Sequence, residues 1–171
     1  MDVVREQLRN ALGIEIDELA GAHASVVLPV TAGLVNRLIA ARLTAQAPVS
    51  AVRVEPQDGN AIDVHVTPRS RLLPAIRVQA RIERQPALPE HPRLLLRWAI
   101  PGAGALARLA SPFIASLKSL PPGVRIDGEF AIIDLAELLA AQGHAGILQY
   151  VKALRIDTRP GAFVVSADVG V

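Results

Sequence analysis

Residues 94–120 read LLLRWAIPGAGALARLASPFIASLKSL, and this stretch is compatible with two different folds. The pattern predicts an apolar strand, a glycine-rich elbow at Gly102–Ala107 and an amphipathic helix over 104–120. The elbow fits the G-x-G-x-x-G/A spacing that holds a pyrophosphate at a helix N-terminus in dinucleotide-binding proteins. Alternatively, the strand and the helix form two walls of an apolar compartment in an antiparallel α+β domain.

The rest of the chain favours the antiparallel alternative, because it consists of short strands joined by tight turns. Apolar and polar residues alternate over 52–66 on both sides of Asp58-Gly59, which is a strong hairpin signal. Parallel neighbours would need crossovers of about a dozen or more residues. Pro101 and Pro112 further disturb the dinucleotide pattern. The other predicted strands are 22–28, 76–82, 93–100, 124–127, 130–133, 152–158 and 162–169.

Two main amphipathic helices are predicted to pack on these strands. Thr31 is a suitable N-cap for a helix that runs to about Gln46, and Pro29 is expected to end the strand before it. The second main helix is the one over 104–120. A capping box at 134–137 predicts a shorter helix that runs to 141. The predicted fold class is therefore α+β, with a strongly twisted, mostly antiparallel sheet wrapped on two main amphipathic helices.

The 171 residues are predicted to form a single domain. Residues 1–24 are assigned to an N-terminal helix and its connection, and residues 25–171 to a helix–sheet module. The first residues are acidic where a secretion signal would be basic and then apolar, and no apolar run has the length of a membrane span. The expected location is therefore the cytoplasm.

The composition favours an aliphatic interior over a catalytic site. Hydrophobic residues make up 51% of the chain and aromatic residues only 3%, which suits an ordinary core or a site for alkyl chains. There is no cysteine, and the four histidines lie far apart in the sequence. We therefore predict a non-enzymatic protein with no catalytic residue, no metal and no cofactor.

Arginines are concentrated in the middle of the chain, with seven of them from Arg69 to Arg97 against two glutamates. A solvated sheet face explains this pattern simply, and attraction to an anionic membrane surface explains it functionally. Nucleic acid is not an expected partner, because Trp98 is the single aromatic residue among these arginines.

The order of elements over 25–171 resembles that of the small bacterial members of the tubular lipid-binding (TULIP) superfamily. The residues that carry the resemblance are the helix TAGLVNRLIAARL (31–43) with the hairpin after it, the helix ALARLASPFIASLKSL (105–120) and the closing strand pair LRIDTRPGAFVVSADV (154–169). The resemblance implies a long curved antiparallel sheet that wraps around a helix and holds lipid tails.

We therefore predict that the chain binds a lipid or another long apolar small molecule between its helices and its curved sheet. One alternative is a structural or protein-interaction domain whose apolar surface is core or dimer interface. Another is a nucleotide-dependent enzyme that uses the Gly102–Ala107 elbow. The predicted apolar lining is Leu34, Leu38, Ile76, Val78, Leu96, Trp98, Leu109 and Phe113. The predicted basic rim is Arg77, Arg81, Arg97 and Arg108.

Overall fold

The computed structural model describes residues 23–70, 72–101 and 120–170, in which two antiparallel sheets dominate. Strands β2 to β7 form a six-stranded sheet in the order β2-β3-β4-β5-β7-β6, and a three-stranded sheet has the order β1-β9-β8. The strands are β1 (His23–Thr31), β2 (Val49–Pro56), β3 (Ala61–Pro68), β4 (Ile76–Arg84), β5 (Arg93–Ala99), β6 (Val124–Asp127), β7 (Phe130–Asp134), β8 (Val151–Arg159) and β9 (Ala162–Gly170). The helices are α1 (Ala32–Arg42), α2 (Leu135–Ala141) and a 3₁₀ helix (Ala145–Tyr150).

The prediction of antiparallel sheet is confirmed, because every ladder between the described strands is antiparallel. The hairpin predicted over 52–66 is present as β2 and β3. Gly59 and Asn60 turn the chain there with φ angles of 69° and 63°, in the left-handed region that glycine and asparagine tolerate best. The parallel sheet that the nucleotide alternative requires does not occur among these strands, and its elbow at Gly102–Ala107 lies outside the described residues.

Two details of the sheet prediction are wrong. The described strands form two sheets instead of one, and Pro29 does not end the first strand. Directly after β1, the amide of Ala32 donates to Gly161 O, in the turn before β9, at 2.8 Å, so the even-numbered residues of β1 direct their N–H groups to β9. Odd-numbered Pro29 therefore sits where the N–H would point away from the sheet, and the ladder loses nothing by its absence.

The helix predictions are confirmed only in part. The Thr31 side chain accepts a hydrogen bond from Leu34 N at 3.2 Å, but α1 ends at Arg42 instead of near Gln46. The backbone is already extended at Leu43, with φ of −74° and ψ of 113°, so the helix does not continue. The second main helix, predicted over 104–120, and the N-terminal one lie outside the described residues. The described fold is therefore mostly sheet with some helix.

Helix α2 begins where the sequence predicts, although only half of the capping box forms. The Asp134 side chain accepts from the amides of Ala136 and Glu137 at 3.1 and 3.2 Å. The Glu137 carboxylate does not reach back, because it bonds to Arg125, and the Asp134 amide donates to Gly123 O at 2.7 Å instead.

The core lies where the two sheets meet. Ile62, Ile82 and Leu94 of the six-stranded sheet are buried, and Ile156 and Phe163 of the three-stranded sheet pack against them. Burial of aliphatic side chains of this size stabilises a fold by about 1.5–3 kcal/mol each.

Polar contacts fix the same junction between the sheets. The Gln85 amide bonds to both the N–H and the C=O of Ile156, at 2.9 and 2.8 Å. The Asn60 side chain accepts from the Thr158 amide at 3.2 Å. The β8–β9 hairpin is therefore attached to the start of β3 and the end of β4.

Candidate functional site: an apolar sheet face

The strand register places only apolar residues on one face of the six-stranded sheet. Cross-strand partners share a face in an antiparallel sheet, and Val64 lies opposite Val54 on one side and Val78 on the other. Trp98 lies opposite Ala80 in the same way. The apolar face, so defined, consists of Val52, Val54, Pro56, Ile62, Val64, Val66, Ile76, Val78, Ala80, Ile82, Leu94, Leu96, Trp98, Val124, Ile126, Ala131 and Ile133.

The apolar face continues onto the three-stranded sheet. Ile156 and Phe163, which pack on the core, share their face with Val26 and Leu28 of β1 through the register of β1, β9 and β8. The contact between the two sheets buries only the centre of this shared apolar surface. The core isoleucines there are 7–8% exposed, whereas Val26 and Leu28 are 39% and 55% exposed. The surface therefore extends beyond the contact between the sheets.

Trp98 is the one polar group on this face. Its indole nitrogen Nε1 is buried and has no hydrogen-bond acceptor among the residues that the structure describes. Buried indole N–H groups normally have a partner, and the described contacts supply none for this donor.

The opposite face of the six-stranded sheet is charged, and several of its arginines are paired. Arg77 donates from Nε and an Nη to the two carboxylate oxygens of Asp63, at 3.2 and 2.8 Å. Arg97 lies 3.7 Å from a Glu83 oxygen and 3.9 Å from one of Glu129. These ion pairs between arginines and carboxylates stabilise the sheet. They agree with the simpler explanation of the arginine-rich stretch, which is a solvated sheet face.

The structure separates the predicted basic rim from the apolar lining. The register places Arg77, Arg81 and Arg97 on the charged face, because each of them alternates with residues of the apolar face along its strand. Period-two alternation directs successive side chains to opposite faces, so these arginines do not border the apolar face from their own strands. Arg108 lies outside the described residues.

The predicted apolar lining is brought together only in part. Ile76, Val78, Leu96 and Trp98 all lie on the apolar face. Leu34 and Leu38 are on α1, which packs on β1 and β2, and they are 41% and 57% exposed. The last two predicted lining residues, Leu109 and Phe113, lie outside the described residues.

Sequence reasoning missed the residues of the neighbouring strands that complete the face. Val64 on β3 and Ala131 on β7 belong to it, and alternation along their strands was a usable signal for both. Ile156 and Phe163 were not foreseen as its cover, because their position depends on how the second sheet docks.

The buried carboxyl groups serve the fold. The hydrogen bond from Arg77 holds the pKa of Asp63 below its ordinary value despite burial. At Asp134, burial raises the pKa, but the hydrogen bonds from Arg93 and from the amides of α2 outweigh it and leave the pKa lowered. Both carboxylates are ionised near neutral pH and engaged by their partners, so neither is arranged as a proton donor.

Other candidate sites in the described residues are weaker. A pocket of about 240 Å³ opens between the end of α1 and β2, but its arginine, Arg69, already donates to Ala47 O at 3.1 Å. Within the described ranges, histidine, aspartate and glutamate side chains form no cluster able to hold a metal ion. None of the helices in those ranges is long and apolar enough to cross a bilayer.

Comparison with protein-family models, with curated proteins and with solved structures finds no match to this chain.

Proposed function

We propose that this protein binds a lipid, or a similarly long apolar molecule, by burying its chain against the apolar face. The observation that carries the proposal is that this face has apolar side chains, nearly all aliphatic, on all six strands, and that much of it is only half-buried. Aliphatic rows on a curved sheet offer an alkyl chain many van der Waals contacts and no competing hydrogen bonds.

The energetics favour long chains. Each buried methylene contributes about 0.8 kcal/mol, whereas association costs at least about 4 kcal/mol. Short chains therefore bind weakly, and each further methylene that the face covers strengthens binding about fourfold. The Trp98 N–H favours ligands with a carbonyl or carboxyl oxygen beside the chain.

Native mass spectrometry of detergent-free protein tests the proposal directly. We expect adducts in the mass range of lipids, or uptake of added fatty acids with an affinity that rises from eight to sixteen carbons by about fourfold per buried methylene. A clean apo mass and no uptake at any chain length would contradict the proposal, and would favour the structural or protein-interaction alternative. Thermal stabilisation by NAD instead would favour the nucleotide alternative.

A pair of matched variants locates the site. Val78→Asn puts an amide in the middle of the apolar face and is expected to weaken binding at least tenfold, because the amide loses water without gaining a partner. Thr67→Asn makes a polar change on the other face of the neighbouring strand and is expected to leave binding unchanged. Equal effects of the two substitutions would place the ligand elsewhere.

A further inference from the structure

The loop between β3 and β4 holds a leucine side chain almost entirely in solvent. Residues 68–74 read PRSRLLP, and Leu72 is 93% exposed. A local turn fixes this position, because the Leu73 amide donates to Ser70 O at 3.2 Å and the Leu72 amide donates to Ser70 Oγ at 3.3 Å. Leu72 therefore stands on a hydrogen-bonded turn and contributes nothing to the core.

A second loop, which joins α1 to β2, lies at the same end of the six-stranded sheet. Arg69 connects the two loops, because its amide donates to Pro48 O at 2.9 Å and its Nε donates to Ala47 O at 3.1 Å. Several apolar residues around this contact are exposed. They are Ala45, Pro48, Leu72, Pro74 and Ala75.

These loops and the end of α1 belong to parts of the chain that carry positive charge only. The sequence has three arginines and no acidic residue over 32–54, and four arginines and no acidic residue over 64–82. Arg42 is exposed in the last turn of α1, and the Arg69 guanidinium donates to backbone carbonyls, which carry no net charge. The basic end, as we call this region, consists of residues 42–48, 69–70 and 72–75.

We propose that the basic end docks on the surface of a membrane that contains anionic lipid. Leu72 inserts between the lipids at the level of the acyl chains, while Arg42 and Arg69 face the phosphates. Each arginine near such a surface strengthens binding about fivefold, and burial of a leucine side chain strengthens it at least about tenfold. So few contacts make the docking weak and reversible.

The combination of charge and apolar surface selects a membrane among anionic partners. A nucleic acid would pair with the arginines and leave Leu72 in water, whereas a bilayer accepts both kinds of side chain at one boundary. The apolar face also reaches the basic end, because Val66 and Ile76 are the cross-strand pair beside the loop. Docking therefore brings the apolar face next to the bilayer, a consequence that rests on the proposed function, whereas docking itself does not.

A fluorescent probe tests where the protein touches the membrane, because the full chain has no cysteine of its own. An environment-sensitive dye is attached to Leu72→Cys and, as a control, to Ile147→Cys in the 3₁₀ helix. That helix follows α2, which begins at the opposite end of the sheet. With millimolar vesicles of equal parts phosphatidylglycerol and phosphatidylcholine, we expect a blue shift at position 72 and none at position 147. Binding to phosphatidylcholine alone should be at least about tenfold weaker.

Vesicle flotation of unlabelled variants tests each contribution. Leu72→Ser should weaken binding at least about tenfold without lowering the melting temperature, because the side chain is already exposed. Arg42→Gln should weaken it about fivefold. The control Arg159→Gln removes a charge beside the β8–β9 turn, which contacts Pro56 at the opposite end of the sheet, and should leave binding unchanged.

Three results would overturn the proposal: no vesicle binding at millimolar lipid, equal binding by Leu72→Ser and the unmodified chain, or an equal spectral shift at both dye positions. Binding of a single-stranded oligonucleotide without binding of vesicles would also overturn it, and would assign the arginines to nucleic acid. Val78→Asn, which is expected to lose the apolar ligand, should still dock. The two proposals can therefore fail separately.

Discussion

Replacing Gln85 by alanine should loosen the attachment between the two sheets. Among the described residues, only the side chain of Gln85 bonds both the N–H and the C=O of Ile156. This contact joins the end of β4 to β8. Alanine removes both bonds and leaves the Ile156 N–H and C=O in a half-buried position where water reaches them incompletely.

The magnitude follows from the two bonds. Each contributes about 1 kcal/mol net, and alanine avoids the rotamer entropy, up to about 2 kcal/mol, that the glutamine side chain loses on folding. The free energy of unfolding should therefore fall by about 1–3 kcal/mol, because incomplete solvation of Ile156 adds to the loss. For a chain of this size the melting temperature falls by about 2–4 °C per kcal/mol.

Urea and thermal unfolding followed by circular dichroism measure this loss, and amide hydrogen exchange by NMR localises it at Ile156. Gln149→Ala is the control, because it deletes the same amide from an exposed position and should change stability by less than about 0.5 kcal/mol. Equal stability of the two variants, with unchanged protection of the Ile156 amide, would refute the role given to Gln85.

A Gln85→Glu variant adds a pH test of the same contact. A protonated carboxyl donates to Ile156 O, whereas a carboxylate only accepts, so the folded state should raise the pKa of the introduced group above about 4.3. The stabilisation from this hydrogen bond is then fully present below the pKa that the introduced carboxyl has in the unfolded chain. It is lost as the pH rises through the higher pKa that the carboxyl has in the folded protein. A variant that is equally stable at pH 4 and pH 7, relative to the parent chain, would contradict the donor role of the amide.

Three further predictions concern the fold around α2 and the charged face. Gly123→Ala should destabilise by at least about 2 kcal/mol in urea unfolding, because φ is 85° there and an added Cβ would lie 2.6 Å from Asp134 O. Gly128→Ala, with φ of 56° and no atom within 4 Å of the Cβ, should lose only about 1 kcal/mol, and the reverse order would contradict the contact. Because the folded pKa values of Asp63 and Asp134 are lowered, the stabilisation they give is complete above about pH 4 and lost as the pH falls below it. Asp134→Asn, which retains a capping oxygen, should flatten part of that acid dependence at a loss of about 1 kcal/mol or less at pH 7.

The sequence alone predicts most strands of the six-stranded sheet, because their signals are local. Alternation along 76–82 placed Ile76 and Val78 on the same face, and the Asp58-Gly59 turn predicted the hairpin. Contacts between distant residues were not predictable in this way. The arginines of β4 and β5 were expected beside the apolar lining, although the same local alternation already directs them to the other face.

What the sequence determined by itself is thus the antiparallel class, the hairpins, the α2 cap and an aliphatic interior, since turns, caps and alternation act over a few residues. Only the tertiary structure decided that the strands form two sheets and that Ile156 and Phe163 close the centre of the apolar face. Those outcomes depend on contacts such as Gln85 to Ile156, between residues 71 positions apart. No local pattern specifies such a pair, because it forms only when separately folded hairpins dock on one another.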